Sequence, residues 1–70
     1  MALTAAQISE AKTEARDFLE YSIYVLCTTL DTDPENVTGT MTIPVGEDHA
    51  DYDSWQALKR QAAALESLDS

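Results

Sequence analysis

The residues with the most suggestive spacing for chemistry are Asp31, Asp33 and Glu35, which match the first three ligands of a calcium loop. Hard cations need oxygen donors at such positions, a glycine at the sixth for the sharp turn and a bidentate glutamate at the twelfth. Here the sixth position is Asn36 and the twelfth is Thr42, so the segment reads as a capped turn. A second acidic run, Glu47, Asp48, His49, Asp51 and Asp53, lacks the second histidine or cysteine that a transition-metal site would use. It reads as a solvated loop. Nucleophilic catalysis would require a base beside Cys27, and His49 is the single histidine of the chain. Cys27 lies among apolar neighbours and reads as a small core residue. Glu10 and Glu14 stand one helical turn apart on a polar face, solvated and mildly repulsive. Gly39 and Gly46, the only glycines, form no phosphate-cradling loop. No catalytic residue, cofactor or metal site is therefore expected.

The balance of charge narrows the partners. Against 13 Asp and Glu stand 4 Lys and Arg, a net charge of −9 over 70 residues. Affinity for phosphate backbones rests on basic residues displacing counterions, so direct nucleic-acid binding is disfavoured. The hydrophobic share of 44% is too high for an ordinary disordered acidic chain. The opening residues MALTAAQISE have no basic head and no sustained apolar run, unlike a signal peptide. The apolar stretch 21–30 is half the length needed to span a bilayer as a helix. A soluble protein, intracellular or assembled into a virion, with no membrane partner, is the expectation.

The elements that would position these side chains make one small domain over residues 1–70, of the mainly α, α+β class. Thr4 and Gln7 have the spacing of a capping box, flanked by Leu3 and Ile8 as a hydrophobic staple. Ile8, Ala11, Ala15, Phe18, Leu19, Ile23, Leu26 and Leu30 project to one side of the helix that follows, and Glu10, Glu14, Asp17 and Glu20 to the other. A long amphipathic helix over about 4–30 is predicted. From Tyr21 the sequence YSIYVLCTTL turns β-branched and aromatic, which favours a strand. No Gly, Pro or Asn punctuates it before Asp31. The alternative is an α-β-β-α plan with a hairpin 21–30/37–45. Pro34 marks a turn, after which Val37, Gly39, Met41, Ile43 and Val45 alternate with Thr and Pro, predicting an extended edge strand over about 37–45. Asp53 and Gln56 repeat the capping spacing ahead of a helix over about 54–68, with a seam at Trp55, Leu58, Ala62 and Leu65.

The opening MALTAAQISEA leading into an amphipathic helix, with the helix–extended–helix plan, resembles small virion proteins of tailed bacteriophages of the neck or head-completion type. The resemblance covers about a third of the chain. It implies a role in bridging neighbouring subunits of a particle, without catalysis.

Two functions of different class follow. In the first the chain is a non-catalytic structural or interaction protein, a subunit of a homo- or hetero-oligomeric assembly. Its candidate protein-binding residues are Tyr21, Tyr24, Val25, Met41, Ile43, Tyr52 and Trp55, because aromatic side chains dominate interface hot spots and residues 21–25 make the helix apolar nearly all round. The other reading of Trp55 is as the main core residue. In the second the chain is an acidic inhibitor of the anti-CRISPR or anti-restriction type. There Glu10, Glu14, Asp17, Glu20, Asp48, Asp51 and Asp53 would imitate nucleic-acid phosphates.

Overall fold

A computed structural model describes residues 2–69. Its first element, α1, spans Ala5–Leu30 and begins where the sequence signals it. Thr4 Oγ1 accepts the Gln7 N–H (3.1 Å) and Gln7 Oε1 accepts the Thr4 N–H (2.9 Å), so both halves of the capping box form. The helix then runs through Tyr21–Leu30 without a break. Its β-branched residues cost some helix propensity, but no residue there forces an exit. The hydroxyls of Thr28 and Thr29 donate to the carbonyls of Tyr24 and Val25 (each 3.0 Å), satisfying themselves inside the helix.

The exit comes at Asp31, in the left-handed region at φ 54°, ψ 46°. The Thr32 N–H donates to the Cys27 carbonyl (3.0 Å) and the Asp31 N–H to that of Thr28 (3.3 Å), a Schellman closure. Asp is an unusual occupant, because its Cβ crowds the carbonyl in this conformation and its charge sits at the negative end of the helix. Asp31→Gly is therefore expected to raise stability by about 0.5 kcal/mol, the relief at αL and at the dipole exceeding the greater freedom of glycine in the unfolded chain. Urea unfolding of the two proteins measures it, and a lower midpoint for the variant would contradict it.

A short 3₁₀ turn, Pro34–Asn36, is capped by Asp33, whose carboxylate accepts the Glu35 N–H (3.0 Å). The second helix, α2, spans Tyr52–Asp69. It starts two residues before the expected position, which places Asp53 in the first turn, where its charge suits the helix's positive end, rather than at the cap. α2 runs antiparallel to α1. Ile23 and Cys27 meet Trp55 and Leu58 in the core, and Arg16 is ion-paired with Asp69 at the far end of α2.

The α+β expectation is not met. The described residues form a helix–loop–helix without a strand, so neither the edge strand at 37–45 nor the alternative hairpin 21–30/37–45 exists. Residues 37–45 do alternate: Val37, Gly39, Met41, Ile43 and Val45 are half-buried and the residues between them are exposed. The alternation comes from side chains packing on the helices instead of from a ladder. A strand requires a backbone partner, and the only candidate segment, 21–30, spends its own hydrogen bonds inside α1. The segment is a strap laid along the helix pair. At its closest approach the Gly39 N–H donates to Glu66 Oε1 (2.8 Å).

Ile23, Cys27, Trp55, Leu58 and Ala62 are the buried residues, with Leu26, Leu30, Val37, Met41, Ile43, Val45 and Leu65 packed around Ile23, Cys27, Trp55 and Leu58. This core lies at the end of the molecule where α1 finishes and α2 begins. The molecule is elongated, 46 × 19 × 19 Å. α1 has 26 residues and α2 has 18. At 1.5 Å per residue α2 falls about 12 Å short of covering α1. Every residue from Ala5 to Phe18 is exposed.

Candidate protein-binding surface

Apolar side chains of α1 are left uncovered for two reasons: those near its start lie beyond the reach of α2, and those further along face away from it. Phe18 (69% exposed), Tyr21 (70%) and Tyr24 (64%) stand out from α1, with Ile8 and Val25 also exposed. Burying a large aromatic side chain is among the strongest favourable terms available to a protein. A helix that holds such residues in water offers them to something else.

The candidate binding residues separate into two groups. Tyr21, Tyr24 and Val25 are free on the surface. Met41 and Ile43 are half-buried on the core, and Trp55 is a buried core residue. Tyr52 is half-buried, and its hydroxyl accepts from Gln56 Nε2 (3.3 Å). Phe18 and Ile8, which the sequence places on one broad stripe with Ile23, are outward-facing. Sequence periodicity cannot show this, because the stripe is wide enough to hold two faces and only the packing of α2 decides which one is covered.

Tyr24 stands between two depressions. One, of about 320 Å³, lies between Ile23 and Tyr24 on α1, Pro34 and Val37 in the connection, and Ala62 and Leu65 on α2. The other, of about 420 Å³, is more polar and is lined by Cys27, Thr28, Asp31 and Asp33 among others. Both are shallow and open. Cys27 is 1% exposed. Burial pushes its thiol up from the ordinary value, and the Asp33 carboxylate adds to the effect. The folded chain thus prefers the neutral thiol. The stability this contributes is whole below the ordinary thiol range and is lost as pH rises through the raised folded value. Alkylation of Cys27 by iodoacetamide at pH 8 is expected to be slow in buffer and fast in urea; equal rates would show that the thiol is open in the folded chain.

The acidic residues do not converge. Glu10, Glu14 and Asp17 are exposed on the projecting half of α1, and Glu20 lines the apolar depression. Asp48, Asp51 and Asp53 are at the opposite end of the long axis, around the start of α2. His49 is engaged in the turn there, its Nδ1 accepting the Asp51 N–H (3.0 Å). Among the described residues no group of three His, Cys, Asp or Glu side chains comes together as a metal-binding set. No described helix is long and apolar enough to cross a membrane.

No protein-family model, curated protein or solved structure matches the chain. What α1 exposes is accordingly the strongest indication of function, and Arg16–Asp69 marks where its cover ends.

Proposed function

We propose that this chain is a non-catalytic interaction protein, a small subunit of a larger assembly such as a phage particle, that holds neighbouring protein subunits through apolar surface on α1. One observation supports the reading above others. Ile8, Phe18, Tyr21, Tyr24 and Val25 are exposed on a single helix of a 70-residue chain, the first beyond the reach of α2 and the others on faces turned away from it. Isolated apolar residues on a surface need no explanation, but several large ones on one rigid element fit a docking surface. Tyrosine and phenylalanine supply much contact area at small conformational cost.

The test is a photo-reactive phenylalanine analogue placed at Tyr21 in the cell or particle that makes the chain. Irradiation is expected to give a covalent adduct with another polypeptide, and Val25→Glu is expected to abolish it. A chain that gives no adduct of any mass would sink the proposal.

A further inference from the structure

One face of α1 carries small and apolar residues at a regular spacing that the core does not explain. Ile8, Ala11, Ala15, Phe18, Ser22 and Val25 follow one another by steps of three and four, and Thr29 continues the series. This is the a/d spacing of a coiled-coil seam, sustained over three heptads. No position in it carries a charge. At 100° per residue the seam lies about 120° round the helix from Ile23, Cys27 and Leu30, which face α2 or the core. Apart from Ser22, which is half-buried, its members are exposed. The acidic residues Glu10, Asp17 and Glu20 fall outside the strip, so the seam interrupts an otherwise negative surface.

We infer that the seam is an interface between two copies of this chain, whose α1 helices pack antiparallel across a two-fold axis passing between residues 16 and 17. The inference rests on the interaction role proposed above and names its first partner. Side-chain sizes fit this register. Ile8 lies opposite Val25 of the second copy, Ala11 opposite Ser22, and the small Ala15 opposite the large Phe18. A parallel pair would instead stack Phe18 on Phe18 and leave successive Ala11 and Ala15 layers underfilled. The antiparallel arrangement also opposes the helix dipoles. At the flanks it sets Glu14 near Tyr21 of the second copy, and Lys12 near Leu19, with no like charges facing each other. The projecting half of each α1, which α2 leaves bare, comes to lie along the covered half of the other.

The area is of the right order. Phe18 and Tyr21 of two copies, at about 150–250 Å² per fully buried ring, supply about half of the ~1,200 Å² at the low end of stable interfaces. Ile8, Val25 and the small residues of the seam add the rest. An interface of that size forms in the micromolar range, against the mutual repulsion of two chains of charge −9. Salt screens that repulsion, so added salt is expected to tighten the dimer. An interface in which acids meet a basic partner would be weakened instead.

Sedimentation equilibrium of the full chain from about 1 to 300 µM, in 0.05 and 0.5 M sodium chloride, tests this. Expected is a monomer–dimer equilibrium that shifts toward dimer at the higher salt. Ala15→Glu, in the middle of the seam, is expected to weaken it at least about tenfold. Ala6→Glu, which adds the same charge on another face of the same helix, is expected to leave it within about twofold. Far-ultraviolet circular dichroism of both variants separates lost association from lost folding. As a check of direction, Ala11→Cys and Ser22→Cys chains should form a disulfide when mixed under oxidation and little when either is oxidised alone. A wild-type monomer throughout, equal effects of the two glutamates, or efficient cross-linking of Ala11→Cys with itself would overturn the inference. If the chain is a monomer while the photo-adduct at Tyr21 joins it to a different polypeptide, self-association fails and the interaction role stands.

Discussion

Leu58→Ala is expected to remove about 3 kcal/mol of stability. Leu58 is 0% exposed and sits in the core with Trp55, Ile23 and Cys27. Truncation to alanine loses the transfer energy of the removed carbons and leaves a void that the surroundings fill only in part. Such changes cost about 2–5 kcal/mol. A chain of this length is stable by only about 4–10 kcal/mol, so this single side chain carries a third or more of the margin. Neighbouring groups have little capacity to close the gap, because Leu58 lies on a helix clamped between α1 and the strap. With a urea slope near 1 kcal/mol per molar, the midpoint should fall by roughly 3 M. The measurement belongs at low protein concentration, where association adds little to apparent stability. A fall of less than about 1 M would show that the core collapses around the gap, or that the helix pair is held mainly elsewhere.

Gly39→Ala is expected to cost about 1–3 kcal/mol and to act on one part of the molecule. A Cβ at residue 39 would come within 2.7 Å of Ala63 Cα, 2.8 Å of Ala63 Cβ and 2.9 Å of Glu66 Oε2. The glutamate can swing aside. The α2 backbone at Ala63 cannot, so the strap must lift. Lifting it breaks the Gly39 N–H to Glu66 hydrogen bond and draws Val37 and Met41 away from the core. The glycine is required here for close approach, since its φ is not positive. The expected result is a lower unfolding midpoint with the helical circular dichroism of the folded state unchanged, and faster amide exchange between residues 37 and 45. Gly46, whose added Cβ would meet nothing within 4 Å, is the control: Gly46→Ala should be neutral within about 0.5 kcal/mol. If the two variants behave alike, the strap is not seated where Gly39 meets α2.

The local punctuation of this fold is legible in the sequence and its long-range geometry is not. The Thr4–Gln7 cap and the end of α1 beside Asp31 follow from residue types within a few positions of each other. The alternation of residues 37–45 is equally visible, and which side chains turn inward is read correctly from it. What the pattern lacks is any indication of whether the inward side meets a neighbouring strand or the groove between two helices, and the strand expectation fails there. The Arg16–Asp69 pair joins residues 53 positions apart and leaves no local trace. Ile8 and Phe18 read as members of a single apolar stripe when they are in fact solvent-facing, because only the packing of α2 shows which edge of that stripe is covered. The seam is present in the spacing of residues 8–25, merged with the core residues into one broad stripe and separable only once the side chains that face α2 are known.

The strap also gives the molecule an order of events in time. Gly39 meets α2 alone, but the cluster that receives Val37, Met41, Ile43 and Val45 is built from side chains of both helices, so the full seat of the strap does not exist until α1 and α2 have met. Bringing the helices together must therefore bear the entropy of closing residues 31–51 as an unfastened loop, a cost that grows only slowly with loop length. Docking of the strap comes after that step and reinforces it. In the reverse direction the strap is the first part free to leave, so the folded molecule loosens from its connection while its two helices are still joined.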